Sequence, residues 1–185
     1  MTLRAPLVLV AAAAMVAIWS GAARAQDCLA VLSQNQQLST FAGTMGRTGQ
    51  AALLRSPGPF TILAPTNEAI NRVPINIRNN LFGSQPTDSI DPVRAPAVVN
   101  AHIFDGKHVA SEVRSQDRAV FRSRNGNELV LQRGADGRYT LTPGAGGFGG
   151  GSGSHMEPAH VVQADIPCSN GVIHIVDRVL VPTGM

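Results

Sequence analysis

The clearest structural signal in this chain is a stretch with the sequence SNGVIHIVDRVLVP, residues 169–182. Its segment VIHIV, residues 172–176, carries apolar side chains on both faces, which indicates a strand that is covered on both sides. Asn170 and Gly171 precede this strand, and both residue types tolerate positive φ, so the pair predicts a tight turn. The sequence therefore predicts a hairpin in which a buried strand pairs with residues 161–166.

More strands precede this hairpin. Residues 60–64, with the sequence FTILA, have the composition of another buried strand. Further along, short apolar runs alternate with the turn signals Asn125-Gly126 and Asp136-Gly137. These runs predict additional strands at residues 109–113, 118–123, 128–132 and 138–142.

The remaining regular structure is predicted to be helical. Apolar residues recur at three-to-four spacing over residues 26–54, and glycines divide this region into short helices. After the strand at 60–64, Thr66 or Asn67 is expected to cap a new helix. A short helix is also predicted around residues 77–82. Residues 97–103 are predicted to form another short helix or the tail of a helix that leads into a strand.

The first 25 residues have the pattern of a secretory signal peptide. Arg4 supplies the positive start, residues 7–19 form an uncharged apolar run, and Ala23-Arg24-Ala25 fits the small-x-small pattern of a cleavage site. The alternative interpretation of this segment is a membrane anchor. The apolar run is shorter than the roughly 20 residues that a membrane-spanning helix needs. We therefore expect cleavage after Ala25 and release into the periplasm, to the cell surface or into the medium.

Composition excludes several classes of protein. Loss of Arg4 and Arg24 with the leader lowers the number of basic residues from 15 to 13, against 12 acidic residues. A nearly neutral chain with 4% aromatic residues does not fit nucleic-acid binding through a basic patch or through base stacking. Collagen, a coiled coil and a multi-span membrane protein are also excluded.

The sequence contains two cysteines, Cys28 and Cys168. An even number in an oxidising compartment favours a disulfide, and a pair of free buried thiols is the alternative. The loop that the disulfide closes is long, and the chain-entropy argument gives about 5 kcal/mol as an upper bound on its stabilisation. The absence of a Cys-x-x-Cys motif argues against catalytic thiol chemistry.

Three segments of the chain form a recognisable set. They are GPFTILAPTNEAI at residues 58–70, NAHIFDG at residues 100–106 and SNGVIHIVDRVLVP at residues 169–182. In this order and spacing they resemble the first signature, the central Tyr-His segment and the last signature of the fasciclin (FAS1) domain family. The resemblance covers residues 27–182.

The resemblance implies an α+β fold, a β-wedge or sandwich of about seven strands with several short helices. We expect one domain over residues 26–185. The Gly-rich run at 143–154 has the composition of a flexible loop and is interpreted as an insertion, which departs from the family pattern. The resemblance also implies a secreted or cell-surface adhesion module that is not an enzyme, and no cofactor is implied. Ala101 stands where the family usually has Tyr, so the integrin binding of animal members is not carried over.

Four residues are candidates for ligand contact: His102, Thr66, Asn67 and Asp177. Each also has a structural interpretation. Thr66 and Asn67 are suited to hydrogen-bond backbone groups at a strand-to-helix turn. His102 is suited to make hydrogen bonds inside the fold. Asp177 is suited to form an ion pair with Arg178.

Metal binding and catalysis have weaker support in the sequence. His155, Met156, Glu157 and His160 form the best metal candidate, because periplasmic copper sites use His and Met. Their spacing matches no standard zinc or copper motif, so no metal site is assigned. No motif places a nucleophile beside a base, so no catalytic residue is assigned either.

These observations favour an exported binding module that contacts a cell surface, matrix or polysaccharide. A single domain makes weak contacts, so stable adhesion needs many copies that act together. We therefore expect the protein to self-associate or to be displayed in many copies. The alternatives are an envelope structural or stress-related protein that acts through a protein partner, and a periplasmic metal-binding protein that uses His155, Met156 and His160. No nucleic-acid partner and no stable membrane span after cleavage are expected.

Overall fold

A computed structural model of the chain describes residues 26–85, 87–110, 112, 118–144 and 158–181. The predicted signal peptide lies outside these residues. Most of the Gly-rich insertion does too, together with His155, Met156 and Glu157 of the candidate metal group. Among the described residues, no helix is long and apolar enough to cross a membrane.

The described strands form one mixed sheet of seven strands. They are β1 (Phe60–Pro65), β2 (Ile103–Asp105), β3 (Arg118–Arg122), β4 (Glu128–Arg133), β5 (Tyr139–Pro143), β6 (Ala159–Cys168) and β7 (Gly171–Val176). Their order across the sheet is β2-β1-β7-β6-β5-β4-β3. A bridge between Phe104 of β2 and Ser123 next to β3 brings the two outer strands together, so the sheet nearly closes into a wedge. The predicted α+β wedge of about seven strands is confirmed.

The helices are short and cover one side of this wedge. They are α1 (Cys28–Gln34), α2 (Ser39–Arg47), α3 (Ala51–Leu54), α4 (Asn67–Asn71), α5 (Ile75–Phe82) and α6 (Arg94–Ala101), with a 3-10 turn at Gln36–Leu38. The larger core lies between the helices and the strands. It includes Leu32, Phe41 and Phe82 of the helices and Ile62 and Ile173 of the strands. Every residue of β1 and β7 is buried, which confirms the prediction of strands covered on both sides.

One predicted strand is wrong. Residues 109–113 were expected to be extended, but Ala110 and Glu112 are helical, and the Glu112 amide donates to the Val109 carbonyl at 3.0 Å. Val109 and Ala110 of this segment line the inner face of the wedge instead of joining the sheet.

The turn before β7 joins several distant parts of the chain. Asn170 accepts a hydrogen bond from the Cys28 amide at 2.9 Å and donates to the carbonyls of Leu54 and Ser56, at 2.6 and 2.9 Å. Cys28 and Cys168 form a disulfide with a Cα–Cα distance of 5.0 Å, as predicted from the cysteine count. The start of α1, the end of α3 and the β6–β7 hairpin are therefore held at one place.

Glycine is needed at position 171 for a reason other than the positive φ that the turn prediction implied. Positive φ occurs at Gly126 and Gly137 in the two other predicted turns, with values of 86° and 79°, but not at Gly171. A Cβ atom at Gly171 would lie 2.1 Å from the Phe60 carbonyl oxygen. Glycine is needed here because β1 and β7 approach closely where they begin to pair.

Candidate functional site

A surface cleft of about 520 Å³ contains three of the four residues predicted to contact a ligand. Thr66, Asn67 and Asp177 line it, and we call it the polar cleft. Its other lining residues are Gln36, Gln37, Glu68, Arg72 and Val162. The cleft lies where the 3-10 turn, the beginning of α4 and the strands β6 and β7 meet.

Thr66 and Asn67 stabilise the elements that form one side of the polar cleft. The Thr66 hydroxyl accepts a hydrogen bond from the Ala69 amide at 3.0 Å and so caps α4. The Asn67 carboxamide oxygen accepts from the Thr40 amide at 3.1 Å, and its nitrogen donates to the Gln36 carbonyl at 2.9 Å. These bonds fix α4 against the 3-10 turn and the start of α2, so the shape of the cleft depends on Asn67.

The charged groups of the polar cleft are paired with neighbours. Asp177 accepts hydrogen bonds from the backbone amide and the Nδ1 of His160, at 2.6 and 3.1 Å. Glu68 and Arg72 form a salt bridge of 2.5 Å across one turn of helix. Each carboxylate in the cleft therefore has a basic neighbour, which reduces the cleft's attraction for a small cation.

His102, the fourth predicted residue, lies inside the fold and outside the cleft. Its side chain is fully buried, and its ring lies 5.3 Å from the ring of Phe41. Nδ1 donates to the Val98 carbonyl at 2.7 Å, while Nε2 accepts from the Leu180 amide at 3.0 Å. Burial lowers the pKa of His102 from 6.5 to about 4, so the ring is neutral at pH 7. In this position the ring connects α6 to the segment after β7 and is inaccessible to a ligand.

A second buried histidine, His174, makes the hydrogen bonds expected of a structural histidine in an apolar strand, but its partners were not predicted from the sequence. His174 of β7 donates through Nε2 to the His108 carbonyl at 2.8 Å and accepts at Nδ1 from the Asp165 amide at 3.1 Å. Burial lowers the pKa of His174 as well. Asp165 adopts a positive φ of 60° and accepts from the Ala110 amide at 2.8 Å. The only signal in the sequence was a histidine within an apolar strand, and no spacing indicated its partners.

This network holds residues 108–110 over a small apolar cavity. The cavity has a volume of about 30 Å³, and Leu63, Phe104 and Leu129 contribute to its lining. It is much too small for an organic ligand of drug size. We therefore interpret the network as part of the wedge interior.

The candidate metal group is not assembled among the described residues. His160 is the one member of the group that the structure describes, and it bonds Asp177. Within the described ranges, no three side chains of His, Cys, Asp or Glu come together in a way that could hold a metal ion.

The fold and the site define a class of protein: a disulfide-linked α+β domain with a nearly closed wedge and a polar surface cleft. The Fasciclin domain family model matches residues 36–182. The match covers most of the chain, and the chain belongs to this family.

Proteins similar to this chain come from bacteria and animals. The protein sll1483 of Synechocystis is 26% identical over 158 residues, which cover 85% of this chain and 74% of that protein. Human periostin is 27% identical over 151 residues, which cover 82% of this chain but 15% of periostin. The chain therefore corresponds to a small part of the larger animal relative.

A solved structure has the same fold. It is a FAS1 domain pair from the insect cell adhesion molecule Fasciclin I, with a TM-score of 0.65 and 14% sequence identity. The similarity covers 85% of this chain and 51% of that chain, since the insect structure contains two domains. At this level of identity the likeness concerns the fold alone.

Proposed function

We propose that this chain is an exported, non-enzymatic binding module that attaches to a cell surface, extracellular matrix or polysaccharide. The observation that carries this proposal is the Fasciclin domain match over residues 36–182, together with the fold shared with an insect cell adhesion molecule. The polar cleft supports it, because the exposed carboxamides of Gln36 and Gln37 offer hydrogen-bonding groups on its surface.

Export is a separate part of the proposal. The first 25 residues have the charge and apolar pattern of a cleavable leader. The Cys28–Cys168 disulfide supports export, because disulfides persist in oxidising compartments outside the cytoplasm. Mass spectrometry of the protein purified from the exported fraction tests this directly, and we expect Gln26 as the first residue.

Binding is tested with the full chain, expressed with its own leader and purified from the exported fraction. Fluorescently labelled protein is incubated with whole cells, with a matrix preparation and with immobilised polysaccharides, and bovine albumin serves as the control. We expect saturable binding to at least one of these surfaces at physiological salt. Binding no stronger than that of albumin to all of them would contradict the proposed function.

A further inference from the structure

A second cleft, which is shallow and almost flat, adjoins the polar cleft. It has a volume of about 530 Å³ and shares Gln36 and Gln37 with the polar cleft. Gln34 and Gln163 line it as well. The two clefts therefore continue into each other along β6 and the 3-10 turn, and we call the combined surface the amide groove.

The amide groove contains four glutamine side chains. Gln34, Gln36, Gln37 and Gln163 are all exposed. In the described part of the chain, none of these four carboxamides makes a hydrogen bond to another residue, whereas the Asn67 carboxamide makes several. Each free carboxamide offers two donor hydrogens and a carbonyl acceptor. The groove thus presents repeated donor and acceptor pairs whose places are set by α1, the 3-10 turn and β6.

The charge of the groove favours an uncharged ligand. Among the described residues, the lining of the second cleft contains no titratable side chain. In the polar cleft, Glu68 and Arg72 neutralise each other and Asp177 bonds His160. The described lining of the groove therefore offers a polyanion no unpaired cation, and a polyanion would lie close to the Glu68 and Asp177 carboxylates, which is unfavourable.

Small aliphatic surfaces lie between the carboxamides. Val162 is 63% exposed in the polar cleft, and Val31 and Ile166 are partly exposed in the second cleft. A sugar ring has C–H groups that pack against aliphatic side chains, and hydroxyl groups that both donate and accept hydrogen bonds. This combination matches the alternation of carboxamides and aliphatic side chains along the groove.

We propose that the amide groove binds an uncharged oligosaccharide chain. The inference rests on the proposed function and names the ligand class of the binding module. Two adjoining clefts suit several consecutive sugar units of an extended chain better than one isolated monosaccharide. The carboxamides of Gln36 and Gln37 lie where the clefts meet and are the central contacts.

The test compares three variants of the full exported chain. Gln36→Ala/Gln37→Ala and Gln163→Ala remove groove carboxamides, while Gln132→Ala removes an exposed carboxamide from β4, outside both clefts. Thermal unfolding confirms that all variants fold. Binding is measured by affinity electrophoresis in dextran, mannan and dextran sulfate, and on whole cells with and without periodate, which oxidises vicinal diols of glycans.

We expect wild-type protein to be retarded by a neutral polysaccharide more than by dextran sulfate, and to lose cell binding after periodate treatment. Gln36→Ala/Gln37→Ala should weaken binding about tenfold, because about two hydrogen bonds are lost. Gln132→Ala should bind like the wild type.

The outcomes separate this inference from the proposed function. Cell binding that survives periodate, or that is unchanged in Gln36→Ala/Gln37→Ala, overturns the groove as a glycan site and leaves the adhesion function standing. Stronger retardation by dextran sulfate also overturns it, because that result requires a cationic site. Loss of cell binding after protease treatment but not after periodate identifies a protein partner instead. No binding to cells, matrix or glycans removes both proposals.

Discussion

His102 shows how one buried side chain makes stability depend on pH. Burial holds its pKa at about 4 in the folded state, against 6.5 for an ordinary histidine. The unfolded chain therefore binds more protons than the folded protein between these pH values, and stability falls as the pH decreases through this window. Between pH 7 and pH 5 the loss from His102 alone amounts to about 2 kcal/mol. His174 acts in the same direction, because burial lowers its pKa too.

The contribution of His102 is measured with the variant His102→Gln. Urea unfolding at pH 7 and pH 5 gives the change in free energy of unfolding for both proteins. We expect the variant to be less stable at pH 7, because the Leu180 amide and the Val98 carbonyl lose their ring partner. Its stability should fall less than that of the wild type between the two pH values. Equal falls would show that His102 does not set the acid sensitivity.

Glycine substitutions at two positions are expected to have opposite effects. Gly171→Ala places a Cβ atom 2.1 Å from the Phe60 backbone, so β1 and β7 must separate at that point. At Gly43 in α2 there is nothing within 4 Å of a Cβ atom, so Gly43→Ala should stabilise the helix by up to about 1 kcal/mol. Thermal unfolding of both variants measures this. A stable Gly171→Ala protein would show that the strands separate without a large loss of stability.

At the scale of elements, the Cys28–Cys168 disulfide fixes α1 to the end of β6. The loop it closes spans 140 residues, so its removal is expected to lower the free energy of unfolding by about 2–5 kcal/mol. The comparison uses urea unfolding of wild type and Cys28→Ala/Cys168→Ala, each with and without reductant. Reductant should lower the midpoint of the wild type only. A double variant as stable as the oxidised wild type would mean that the Asn170 hydrogen bonds hold α1 without the disulfide.

Local patterns were sufficient to predict most elements. The buried strands at β1 and β7, the cap at Thr66 and the glycine turns at 126 and 137 all depend on residues close in sequence. The strand at residues 109–113 was mispredicted because Val109 and Ala110 face the wedge interior, and an apolar run alone does not distinguish a strand from a buried helical turn. Tertiary packing therefore determines the conformation of that segment.

The candidate site could be predicted only in part, for a related reason. Thr66, Asn67 and Asp177 lie in recognisable segments, and the structure places all three in the polar cleft. The carboxamides of Gln36, Gln37 and Gln163 were missed, because exposed glutamines are common and carry no signal in one sequence. Residues 37 and 163 become neighbours only when α1 and the 3-10 turn lie against β6, which is a long-range contact that sequence spacing does not encode.

At the scale of the whole molecule, the proposed adhesion is expected to be weak when one domain acts alone. Sites joined on one carrier act together, because after the first contact the second has a high effective concentration. We expect the protein, biotinylated at one end and assembled on streptavidin, to bind cells about 100-fold more tightly or better than the free domain. Cell-binding isotherms of the two forms measure the ratio, and a streptavidin complex of the Gln36→Ala/Gln37→Ala variant is the matched control. Free protein that elutes as an oligomer in gel filtration should show little further gain. A monomer with no gain on the carrier would show that the domain acts as a univalent ligand, and adhesion through many displayed copies would then be excluded.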